Sequence, residues 1–165
     1  MRLARLLRHW RASLRPARRL LDAAALSQIE AEIQAAERTH SGEICVSIET
    51  ALGFSQLWRG LDARARGLQV FSNLRVWDTA QNNGVLIYVL LADRAIEIVA
   101  DRGIFNCIPA AEWEALSRDI GEHIHQADLA TGICMAVRSM GQRMARFFPS
   151  PGGDEDELPN QPILL

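Results

Sequence analysis

The run Val85–Leu91 constrains this chain more than any other segment: seven consecutive apolar residues, four of them β-branched or aromatic (Val85, Ile87, Tyr88, Val89). A run this short and apolar at every position reads as a strand covered on both faces. Ala92-Asp93-Arg94 turns the chain, and Ala95–Ala100 returns with Ile96, Ile98 and Ala100 on one face. A turn centred on Asp93 sets Leu90 opposite Ile96, Tyr88 opposite Ile98 and Leu86 opposite Ala100. That pairing brings Asp101 and Arg102 beside Asn82, Asn83 and Gly84, with Asp78 close by. Carboxylates, amides and a guanidinium thus gather at one rim of a rigid sheet, the expected functional site.

The rest of the chain supplies the layers. Ser27 and Glu30 form a capping box for a helix bearing Ile29, Ile33 and Ala36, which stops before Ser41-Gly42. Glu43–Glu49 alternates as a strand, with Ile44, Val46 and Ile48 on one side and Cys45 and Ser47 on the other. A helix over about Gln56–Leu74 would bury Leu57, Leu61, Ala65, Leu68 and Phe71. After the hairpin, Pro109 opens a helix with the stripe Trp113, Leu116, Ile120 and Ile124. Asp128 caps a last helix that turns Ile133, Val137, Met140 and Met144 inward. The strand–helix–strand unit makes its strands parallel. The expected fold is α/β, a small mixed sheet of three to four strands with helices on both faces.

Charge is unevenly spread. All 18 basic residues are Arg; seven lie in residues 1–21 with no acid, and eleven face twenty acids in the remainder, a net −9 there. Nucleic-acid binders carry positive charge on the folded body, so that class is excluded. The leader spaces Leu3, Leu6, Leu7, Trp10 and Leu14 as a helix, with Arg5, Arg8 and Arg11 on its other faces and an interruption at Pro16. Such a basic amphipathic helix suits an anionic membrane surface. The expected division is leader 1–21, domain 25–148, and acidic linker and tail 149–165. Cys45, Cys107 and Cys134 lie far apart and form no disulfide framework or zinc pattern. No apolar stretch is long enough to span a bilayer.

THSGEICVSIE after a capped helix, NNGVLIYVLLADR…EIVADRGI, the tryptophan helix and the closing FFP…DELPNQPILL resemble the TPM domain over about residues 25–165. That family is named for a thylakoid lumen protein, a photosystem II repair protein and a nematode receptor regulator. The likeness is greatest to a short bacterial branch without signal peptide or membrane anchor. The resemblance implies an αβα sandwich, calcium binding at an acidic rim in some members, and the weak acid phosphatase activity claimed for plant members.

Asp78, Asn82, Asn83 and Asp101 are hard oxygen ligands, suited to Ca²⁺ or Mg²⁺ rather than zinc. Glu43 is a second-tier ligand candidate. Arg102 pairs with Asp101 or receives an anion. His40 ends its helix in solvent, Asp93-Arg94 makes a turn, and His123 and His125 point too far apart to share a metal. Asp154–Glu157 reads as a solvated linker. The signatures of cysteine phosphatases, DxD phosphatases, P-loops, serine hydrolases and zinc proteases are absent. Any phosphatase would therefore be metal-dependent at the Asp78/Asn82/Asp101 rim. The expected protein is a non-catalytic accessory module, cytoplasmic and peripheral on the inner face of the membrane. Its expected partners are a protein, such as a membrane protein, and an anionic membrane surface.

Overall fold

The computed structural model describes residues 2–15, 17, 21–124, 128–150 and 157–165, with residues 2 and 121–124 given by their backbone alone. The expectations for His123, Ile124, His125 and the acids at 154–156 lie outside the described side chains. The central strand β2 (Val85–Leu90) pairs parallel with β1 (Ile44–Glu49) and antiparallel with β3 (Ala95–Ala100). A two-residue β4 (Ile163–Leu164) adds parallel to β1, for the order β3-β2-β1-β4.

Helices cover both faces. Ile44, Val46, Ile48, Val85, Ile87 and Val89 pack on one side against Ile29 and Ile33 of α2 (Ala23–Glu37). The same core takes Leu116 and Ile120 of α6 (Ala110–Ile124) and Ile133, Val137, Met140 and Met144 of α7 (Leu129–Phe147). On the other face Cys45, Leu86, Tyr88, Leu90 and Val99 meet Leu57 of α3 (Phe54–Trp58) and Ala63 and Val70 of α4 (Ala63–Asn73). Burying each large aliphatic side chain contributes about 1.5–3 kcal/mol. The uninterrupted apolar sequence of β2 is the direct consequence of being covered twice.

Four local expectations are corrected. The hairpin pairs Leu90 with Ala95, Tyr88 with Glu97 and Leu86 with Val99, one residue away from the expected register. The connection uses a 3₁₀ turn over Leu91–Asp93 and then Arg94 at φ 51°, so Arg94 belongs to the loop. The first domain helix starts earlier than Ser27, because Asp22 caps it by accepting from the Ala25 N–H at 2.8 Å. The expected Gln56–Leu74 helix is two helices. Gly60, at φ 76°, ends the first, and Asp62 caps the second with a 2.7 Å bond from the Ala65 N–H. Restarting the helix turns Gly67 and Val70 inward and leaves Leu68 exposed. Finally, a short helix α5 (Arg102–Cys107) follows β3 directly, capped by Asp101.

The basic leader forms helix α1 (Arg2–Ser13) and docks on the domain. Ala17 and Leu21 beyond it are buried in the main core, and the Ala17 N–H donates to Thr50 Oγ1 at 2.9 Å. Among the described residues, no helix is long and apolar enough to cross a membrane.

Candidate ion-binding rim

The loop entering β2 is wound so that its polar atoms turn toward the sheet end. Asn82 adopts φ 53°, a left-handed conformation that Asn tolerates better than most residues. Asn83 is fully buried. Its N–H donates to Thr79 Oγ1 at 3.1 Å and its Nδ2 to the Ser41 carbonyl at 2.9 Å, tying the loop to the start of β1. The Asp101 N–H donates to the Gly84 carbonyl at 2.9 Å, which sets the two polar corners side by side as expected.

Asp101 divides its carboxylate between two environments. Oδ1 accepts from the Arg102 N–H at 2.6 Å as the cap of α5, whereas Oδ2 is buried and accepts nothing from the described residues. Asn83 Oδ1 is likewise buried and accepts nothing. Gly103 brings the start of α5 against the loop: a Cβ there would collide with the Asn82 carbonyl oxygen and lie 2.8 Å from that of Gln81. One rim therefore carries a half-bonded carboxylate, an amide oxygen without a donor and two backbone carbonyls. Each buried acceptor left without a donor costs about 1–3 kcal/mol, a penalty that a hard cation at those oxygens would relieve.

The other candidates are placed differently. Asp78 and Asn82 lie in the same loop but are exposed, as is Arg102. Asp101 bonds the backbone of Arg102, so the expected Asp101–Arg102 contact is a helix cap. Glu43 is occupied by the C-terminal tail: its two carboxylate oxygens accept from the N–H groups of Glu157 and Leu158, each at 3.2 Å. Glu157 in turn accepts from the Ala80 N–H of the rim loop at 3.0 Å. The tail is thus a strap across the rim, and Glu43 is its anchor. His40 is buried, not solvent-exposed, because Thr39 and Ser41 bond the chain at Ser150 and Phe148 on either side of it. Desolvation pushes its ring down to about 4, against a smaller opposing effect of the Gly42 backbone.

Two polar clusters escaped the sequence reading. Asp93 receives Arg5, Arg8 and His9 from α1, with the Arg5 Nη2 at 2.7 Å and the His9 Nε2 at 3.0 Å. Tyr88 donates to Glu49 Oε2 at 2.6 Å, and Arg66 grips the same carboxylate through Nε at 2.8 Å and Nη2 at 3.1 Å. The second cluster had a signal, since a Tyr inside an otherwise aliphatic buried strand needs a partner for its hydroxyl. Burial raises the Cys45 thiol to about 12, which removes it as a nucleophile. Among the described residues, no group of three or more His, Cys, Asp or Glu is placed to hold a metal. Any ion would have to draw on amide and carbonyl oxygens.

The structure resembles that of the BA42 protein from the psychrophilic bacterium Bizionia argentinensis sp. nov., at 31% identity and a TM-score of 0.77, over 87% of this chain and 94% of that one. The N-terminal domain of the cg2496 protein from Corynebacterium glutamicum shares the fold alone, at 17% identity and a TM-score of 0.53, over 83% and 81% of the two chains. No curated protein matches the chain. The sequence profile of the TPM domain matches residues 16–143, which takes in both sheet faces, the rim loop and most of α7. This chain belongs to the TPM domain family.

Proposed function

We propose that the protein is a non-catalytic TPM accessory module that binds calcium at the Asp101 rim and serves the assembly or maintenance of a membrane-associated protein complex. The observation that carries the ion site is the pair of buried oxygens, Asp101 Oδ2 and Asn83 Oδ1, that accept no hydrogen bond from the described residues. Calcium takes six to eight oxygens from carboxylates, amides, carbonyls and water, and tolerates an irregular arrangement. Asp101 and Asn83 would hold the ion from the protein side, with the Gln81 and Asn82 carbonyls beside them. Asp78 and Asn82 side chains and water would complete it from the exposed side. The non-catalytic reading rests on the chemistry of the rim. It offers one carboxylate at the buried oxygens, and the neighbouring Glu43 and Glu157 carboxylates are engaged by backbone N–H groups, whereas hydrolysis of a phosphate ester needs an activated water as well as charge stabilisation.

Calorimetric titration of the full chain with CaCl₂ tests this proposal. Saturable binding that Asp101→Asn abolishes and Asp78→Asn weakens is the expected result. No heat and no rise in melting temperature at millimolar calcium would remove the ion site. Hydrolysis of p-nitrophenyl phosphate that requires both a divalent ion and Asp101 would replace the non-catalytic reading with a metal-dependent phosphomonoesterase.

A further inference from the structure

We propose that α1 and α3 together form one lipid-docking surface for an anionic bilayer. Leu3, Leu7 and Trp10 are exposed and fall within roughly 60° of arc on a helix of 3.6 residues per turn, and Leu14, just past the end of α1, is exposed as well. The opposite arc, Arg5 and His9, is held to Asp93. Docking therefore fixes the rotation of α1 and turns its apolar stripe outward. A second exposed pair continues the stripe from a distant part of the sequence. Phe54 and Trp58 of α3 stack at 5.9 Å with 69% and 72% of their surfaces exposed. Leu3, Leu7, Trp10 and Phe54 line one open groove of about 520 Å³, so the two segments make a continuous patch.

Charge selects the occupant. Residues 2–15 and 51–60 contain no acid, and Arg11, Arg15 and Arg59 are exposed on these segments. Apolar and indole side chains with arginines around them match a bilayer interface, where rings sit at headgroup depth and guanidinium groups meet lipid phosphates. A nucleic acid would leave the leucines and Phe54 without a counterpart. Of the contacts expected from sequence, Arg5 and Arg8 face Asp93 and Leu6 packs against the core, so the proposed surface takes Phe54 and Trp58 in their place. The surface deepens the membrane-associated part of the proposed function and rests on it, while the calcium rim is independent.

The test is co-sedimentation of the full chain with vesicles of equimolar phosphatidylcholine and phosphatidylglycerol, against vesicles of phosphatidylcholine alone, with tryptophan emission recorded in parallel. Binding to the anionic vesicles with a blue shift is expected. Phe54→Ser/Trp58→Ser should weaken it at least about tenfold, as should Leu7→Ser/Trp10→Ser, given the apolar area removed. These side chains are exposed, so melting temperatures should stay near that of the parent. The proposal is overturned if the α3 pair binds like the parent chain, or if the parent sediments with neither vesicle. Calcium heat that persists in the α3 variant while vesicle binding is lost separates this surface from the rim. Calcium heat absent from a chain that still binds vesicles overturns the rim alone.

Discussion

His9 Nε2 lies 3.0 Å from Asp93 Oδ1, across 84 positions of sequence, and its other ring nitrogen accepts from the Leu52 N–H at 3.0 Å. The Leu52 bond leaves the proton on Nε2, so the imidazole donates to Asp93 alongside Arg5 and Arg8. Burial alone would raise the Asp93 carboxyl. The hydrogen bonds from Arg5, His9 and Arg8 outweigh it and hold the group far below the usual carboxylate range. A depressed carboxylate stabilises the fold at pH values above its unfolded pKa, about 3.9, and loses that contribution as pH falls through the folded value. Asp93→Asn should therefore cost about 2 kcal/mol at pH 7 and free α1. Hydrogen exchange should rise across residues 3–13 by more than it does in β2. Slow exchange in α1 of the variant would show that Leu6, packed against the core on the α3 and α4 face, and the Leu52–His9 bond hold the helix without Asp93.

Gly103 reports on how closely α5 approaches the rim loop. Gly103→Ala would drive a methyl into the Asn82 carbonyl and to within 2.8 Å of the Gln81 oxygen. Backbone cannot move aside as a flexible side chain does, so a loss of about 1–3 kcal/mol is expected. Calcium affinity should fall with it, because those carbonyls are displaced. A thermal melt and a CaCl₂ titration of the same variant read both effects.

The sequence made the three-layer architecture and the rim legible because both rest on patterns that survive small errors of register. The unbroken apolar run at Val85–Leu91 requires cover on both faces, and Asp101 lands within one position of Gly84 whichever of two adjacent turns closes the hairpin. Features that depend on a single backbone angle were not legible. Arg94 at φ 51° lengthened the turn, and Gly60 at φ 76° split a helix and rotated the buried face of its second half. The roles of Glu43 and Asp93 were hidden for another reason. Their partners, the 157–158 backbone and α1, are far away in sequence, and no local spacing encodes such a contact.

The tail strap gives a third prediction. Glu43 holds two backbone N–H groups of the tail, and β4 adds only two residue pairs to β1. Two hydrogen bonds to one carboxylate outweigh so short a ladder. Glu43→Gln keeps the shape but removes the charge, and it should weaken the strap by about 1–2 kcal/mol. Limited proteolysis should then cut near residues 157–162 well before the domain unfolds. A tail that remains resistant in Glu43→Gln would move its anchorage to Ile163 and Leu164.

His40 should make the fold sensitive to mild acid. Its folded pKa of about 4 lies below the ordinary 6.5, because burial disfavours the imidazolium. Between those two values the unfolded chain binds a proton that the folded chain refuses. Stability is therefore whole above pH 6.5 and falls as the pH drops toward 4, with a limiting slope of about 1.4 kcal/mol per pH unit. Carboxylates depressed by their partners, such as Asp93, give their own losses mainly below this window, so a comparison at pH 7 and 4.5 isolates the histidine. Denaturant unfolding of the parent chain and of His40→Gln, which cannot titrate, should show the parent losing about 2 kcal/mol more between those pH values. Equal losses in the two proteins would mean that the ring is solvated or paired when it protonates, and that the segment held to Phe148 and Ser150 opens before the rest of the domain.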